Sequence, residues 1–128
     1  MIAVMNPSEA YRRVDFDARV TGADPRQLVS LCYEQLIAAL SSALFAFEAA
    51  DNARKSAALT RALTSLTALQ MGIRGEDKVA AALHQLYESA RRAMLDSVLE
   101  FNAKAITTLR DDFAEIAKAM AAAMTKQV

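Results

Sequence analysis

The chain predicts an all-α protein, an antiparallel four-helix bundle preceded by a short N-terminal helix. Three observations carry that prediction. Ala is the commonest of the 128 residues, Trp is absent, and only three Gly and two Pro interrupt the chain. Such a composition favours helix, since Ala loses no side-chain entropy there and β-branched and aromatic residues are scarce. Apolar residues recur three or four apart through four long segments, the stripe that a helix buries against a partner. The segments are separated by short breaks, so successive helices should reverse direction and pack side by side.

Residues 1–23 form the least regular part, and residues 24–128 should hold the bundle. Ser8 can cap a helix reaching about Arg19, with Tyr11, Val14 and Ala18 on one face. A helix this short is marginal alone and should either dock on the body or stay mobile.

The first long helix is best defined at its start. Asp24 offers a capping carboxylate and Pro25 stands where a missing N–H costs nothing. From there Val29, Cys32, Leu36, Leu40, Ala43 and Phe47 form the apolar row, and the helix should end near Ala50, before the turn-favouring pair Asp51-Asn52. At 1.5 Å per residue it spans roughly 40 Å.

The second helix should run from about Ala53 to Ile73, with Leu59, Leu63, Leu66, Gln70 and Ile73 on its inner side. Gly72 and Gly75 straddle its end, and Gly75 can take the left-handed conformation that closes helices. The third helix starts near Glu76-Asp77, whose carboxylates suit the positive end of the helix dipole. It presents Val79, Leu83, Leu86, Tyr87, Ala90, Met94, Val98 and Phe101, and Asn102 should break it. The fourth then shows Ile106, Leu109, Phe113, Ile116, Met120 and Met124.

Charge and residue counts exclude several functions. Lys and Arg number 15 and so do Asp and Glu, which leaves no basic stripe for the counterion release behind nucleic-acid binding. No uninterrupted apolar run approaches the roughly 20 residues that span a bilayer, and no basic region followed by an apolar one opens the chain. Neither membrane insertion nor export of the chain itself is expected, which places it in the cytoplasm. The single Cys32 cannot form an internal disulfide and reads as a small core residue.

Metal and cofactor chemistry is not expected either. A di-iron bundle needs Glu-x-x-His pairs on two helices, whereas the only His, His84, follows Ala81 by three residues. One His and one Cys also fall short of a zinc ligand set. A phosphotransfer bundle would use His84 as its acceptor, but Glu88 one turn later would repel a phosphoryl group. His84 instead reads as a residue on a solvated helix edge. No serine stands in a nucleophile-elbow context.

The helices carry more apolar surface than one narrow seam requires. Leu28, Leu31, Ile37, Leu44 and Phe45 lie outside the first helix's row, and Leu95 and Leu99 outside the third's. Two readings stay open for them. A wide stripe is ordinary in a bundle core; alternatively, a helix from another chain completes the burial by lying in a groove.

The stretch Asp24-Pro25-Arg26-Gln27-Leu28-Val29, with Tyr33-Glu34 one turn on, resembles the signature of the flagellin export chaperones, the FliS family. Ala10-Tyr11 is similar to the pair that begins the ordered part of that family. Leu83, Leu86, Tyr87 and Arg92 are similar to its Leu-x-x-Leu-Tyr segment with a following basic residue. The resemblance covers nearly the whole chain, with two departures. Ser97-Val98 replaces a common Ala-Asn, which removes a polar group from a position expected to be buried, and Met120 stands where a Trp is often found.

The resemblance implies a cytoplasmic chaperone that binds the C-terminal segment of flagellin, prevents premature polymerisation and presents the subunit at the export gate. It implies no catalysis and no cofactor. A partner that folds on binding covers a large surface at moderate affinity, which permits release. The partner-binding residues expected on this reading are Tyr11, Val14, Leu31, Tyr33, Ile37, Tyr87, Leu95 and Leu99. The N-terminal segment with Tyr11, Val14 and Phe16 would occupy part of the groove until displaced. The alternative is a helical adaptor or regulatory bundle, homodimeric through the same groove and unconnected with flagellin.

Overall fold

The computed structural model describes residues 18–19, 21–22 and 24–125. Four helices make up the fold: α1 (Pro25–Glu48), α2 (Asn52–Met71), α3 (Lys78–Leu99) and α4 (Ala103–Thr125). The short helix expected from Ser8 lies almost wholly outside the described residues.

Each helix opens on an Asp or Asn. Asp24, Asp51 and Asp77 accept the backbone N–H groups of Gln27, Arg54 and Ala80, and Asn102 Oδ1 accepts that of Ala105 at 3.0 Å. Each such cap satisfies one of the donors that a helix start leaves open. Asp24 and Gln27 form a full capping box, since the Gln27 amide oxygen accepts the Asp24 N–H in return. Asp51 and Asn102, expected as stops, are therefore starts.

The end of α1 is closed one residue earlier, by Ala50 at φ 55°. The Asp51 N–H reaches the Ala46 carbonyl at 2.9 Å and the Ala50 N–H that of Phe47 at 3.1 Å, which is the Schellman arrangement with Ala where Gly is usual. An L side chain strains this left-handed conformation by about 1–2 kcal/mol. Ala50→Gly should raise stability by about 1 kcal/mol, read as a higher urea midpoint at unchanged slope; an unchanged midpoint would show the strain to be absent. Gly75 also takes a left-handed φ, 81°, but within the connection to α3. The residue that caps α2 is Gly72, in right-handed conformation.

The helices form a ring in which α1 packs on α2 and α4, and α3 closes the circuit more loosely against the same two. The α1–α2 contact is the most extensive. Counting equally away from the turn sets Ala43 level with Ala58 and Ala39 with Ala62, all four buried. Such a seam of alanines lets two helix backbones approach closely. Leu36, Leu40, Leu59, Leu66, Met94 and Ile106 fill the rest of the core.

Several expected core positions are exposed. Val29 and Phe47 lie near the ends of α1, Val79 opens α3 and Val98 lies near its close, and all four face solvent. Helical periodicity sets the direction of a side chain, whereas burial also needs a neighbouring helix at that height. At the Ser97-Val98 departure it is Ser97 that is buried, its Oγ accepting the Asn102 N–H at 3.3 Å. Met120 packs half-buried against the core, and the side chain of Met124 lies outside what is described.

By length and composition α1 is apolar enough to cross a membrane. A search for an uninterrupted apolar run passes over it because Glu34 and Gln35 break the run. Leu36, Ala39, Leu40 and Ala43 turn into the bundle core, which accounts for much of that apolar character.

Candidate partner-binding surface

The expected partner-binding residues separate into three groups. Tyr11 and Val14 lie outside the described residues. Leu31, Tyr33 and Tyr87 are buried, Tyr33 at 1% exposure, and Ile37 is half-buried against the core. Leu95 and Leu99 are exposed, at 48% and 89%.

The tyrosines are buried because their polar tips meet. Tyr33 on α1 and Tyr87 on α3 share a hydrogen bond between their hydroxyl oxygens at 2.6 Å. Phe113 of α4 completes the cluster, its ring centroid 5.9 Å from Tyr33 and 6.4 Å from Tyr87. Burial pushes both phenols above their ordinary range; the shared hydrogen bond adds to the rise at Tyr33 and opposes it at Tyr87. These side chains have no surface to offer a partner in this state of the bundle. Cys32 is half-buried on the same helix, and burial raises its thiol. His84 faces solvent, as expected.

Of the expected partner-binding residues, the exposed ones lie at one end of α3, while Phe45 on α1 and Met71 on α2 are exposed elsewhere. Leu95, Val98 and Leu99 stand three and four residues apart, so their side chains adjoin on the helix surface. Polar contacts across the α2–α3 seam set the height of this patch. Gln70 Nε2 donates to Glu88 Oε1 at 2.7 Å, and Arg91 donates to Thr67 Oγ1 at 2.9 Å and to Gln70 Oε1. Extending that antiparallel register places Leu95 level with Leu63 and Leu99 level with Leu59.

Beyond the patch, Phe47 and Phe101 stack with centroids 4.6 Å apart. Lys55 Nζ lies 5.7 and 5.4 Å from the two centroids, within reach of a cation–π attraction. Phe47 and Val98, expected in the core, are exposed, whereas Phe101 packs half-buried against it. The nearness of Phe47 and Val98 to helix ends was the available signal.

At the opposite end, Arg19 forks onto Glu34 at 2.8 and 3.0 Å. The guanidinium holds that carboxyl below its ordinary range, and partial burial works against it. The bond ties residues 18–19 to α1.

Leu95, Val98 and Leu99 give this small helical bundle an exposed apolar strip, the kind of side face through which helical proteins meet other chains. Residues 7–127 match the family model described as flagellar protein FliS. The chain is also similar to the flagellar secretion chaperone FliS of Salmonella typhimurium, 29% identical over 114 residues, which cover 87% of this chain and 84% of the relative. The chain belongs to the FliS family and is a flagellar secretion chaperone, not an enzyme.

Proposed function

We propose that this chaperone binds the C-terminal segment of flagellin in the cytoplasm, keeps it from polymerising and delivers it to the export apparatus. Family membership supports the role. The observation that carries it to particular residues is the exposed run of Leu95, Val98 and Leu99 on α3. Such a run suits an amphipathic helix that forms as the partner docks. The N-terminal segment with Tyr11 and Val14 is the natural competitor for the same surface.

Calorimetry with peptides from the two ends of flagellin tests the assignment. The C-terminal peptide should bind with a negative heat-capacity change, since apolar surface is buried as it folds, and the N-terminal peptide should not bind. Absence of both heat and chemical-shift change with the C-terminal peptide would reject the reading.

Leu95→Ser and Leu99→Ser separate surface from core. Each should weaken binding while changing stability by less than about 0.5 kcal/mol, as exposed substitutions do. Ile37→Ser, at a half-buried position, should lower the melting temperature visibly. Unaltered affinity in the Leu95 and Leu99 variants would remove α3 from the interface.

A further inference from the structure

We propose that α3 is a hinged flap, held shut by a polar latch, that swings away from the other three helices while they stay packed together. The inference does not depend on which protein the chaperone binds.

Four observations carry it. First, α3 is the helix held least by packing, against the extensive α1–α2 and α1–α4 contacts. Among its fully buried residues Tyr87 and Met94 are large and Ala80, Ala90 and Ser97 small, with Leu83 and Leu86 half-buried against the core. Second, what joins it to α2 includes a compact polar set, with Arg91 Nε and Nη2 donating to Gln70 Oε1, Nη2 also to Thr67 Oγ1, and the Gln70 amide donating to Glu88. Its tie to α1 is the Tyr33–Tyr87 hydroxyl pair. Polar ties exchange for water at small net cost when the surfaces part, unlike buried apolar area.

Third, the ends of α3 differ. The connection Gly72–Asp77 before it carries Gly75 in the left-handed conformation and no helical turn. The connection after it is pinned, by the Phe47–Phe101 stack and by Ser97 Oγ against the Asn102 N–H. The pivot is therefore at Glu100–Asn102 and the swing is at the glycine end. Fourth, Leu95 and Leu99 on the outer side of α3 already face solvent, so opening adds no apolar exposure on that side. On the inner side it uncovers Tyr33 and Phe113, the two rings that pack on Tyr87.

Amide hydrogen exchange on the full chain, read by mass spectrometry, tests the flap. Peptides from Lys78–Leu99 should exchange through a separate opening, faster than those of α1 and α2, which wait for global unfolding. Arg91→Ala should speed exchange in α3 by about tenfold or more, in line with loss of hydrogen bonds to a charged group. The same change should leave α1 nearly unaffected. Arg92→Ala, at an exposed position on the same helix, is the control and should change neither. Equal protection of all four helices would overturn the proposal. So would an Arg91→Ala variant in which every helix speeds up together, or one that behaves like Arg92→Ala.

Discussion

Replacing Phe113 by Ala should destabilise the bundle by about 3–5 kcal/mol, the range for removing a buried aromatic ring. Phe113 is fully buried on α4 and meets the rings of Tyr33 and Tyr87. Rings from α1 and α3 thus both pack on this one side chain of α4. Removing it leaves a cavity that the neighbouring helices, held by their own seams, fill only in part. Domains of this size are stable by only about 5–15 kcal/mol in all, so the variant should lose a large share of its stability. Urea titration followed by circular dichroism gives the number. Phe113→Leu should cost under about 1.5–2 kcal/mol because most of the volume is kept. A Phe113→Ala loss below about 1 kcal/mol would mean that the ring is not the centre of this core.

The next largest effect should come from the tyrosine pair, in mutation and in pH. Tyr33→Phe or Tyr87→Phe leaves the opposite hydroxyl buried without the partner it has at 2.6 Å. Each single change should cost about 1–3 kcal/mol. The double change should cost clearly less than the sum, because no orphaned hydroxyl remains. Additive costs would show that the hydroxyls do not act as a pair.

The pH dependence follows from the same burial. Both phenols are raised above the ordinary value of 10.0, so the folded state keeps its protons where the unfolded state has lost them. Stability is then fully present below pH 10 and is lost as pH climbs from there toward the folded-state values. The slope has a ceiling of about 1.4 kcal/mol per pH unit for a tyrosine that is protonated in the fold and ionised in the unfolded chain. Urea midpoints measured between about pH 9 and pH 11 should fall steeply in the natural protein and much less in the double Phe variant.

Much of this architecture is legible in the chain because caps and helical periodicity are local. Asp24-Pro25, Asp77 and Asn102 mark helix boundaries in sequence, and the structure puts caps at Asp24, Asp77 and Asn102. What the chain does not disclose locally lies in a second helix. Val29, Phe47, Val79 and Val98 have the right periodicity for burial and are exposed, since periodicity says nothing of where the neighbouring helix stops. Tyr33 and Tyr87 stand among the expected partner-binding residues, Tyr87 also on the apolar row of its helix, and the structure buries both. Burial becomes tolerable only because each supplies the other's hydrogen-bond partner, and two residues 54 apart in sequence give no local sign of that. Ala50 closes α1 in a conformation that Gly normally takes, so composition pointed elsewhere. Leu95 and Leu99 stood open between core and groove, and their exposure decides only that they are free of the core.

The alanine seam between α1 and α2 bears on how the chain acquires its shape in time. Ala39 with Ala62 and Ala43 with Ala58 are contacts made across a tight turn, so closing them needs little loop entropy. Contacts near in sequence form fast, so the α1–α2 hairpin should be the nucleus on which the later helices condense. Ala43→Gly should accordingly slow refolding, whereas Met94→Ala on α3 should mainly quicken unfolding, a contrast that stopped-flow chevrons would display. A chaperone emerging from the ribosome would then have its first two helices joined before its third is made, and a chain that nucleates on its first half can leave its second half loosely held.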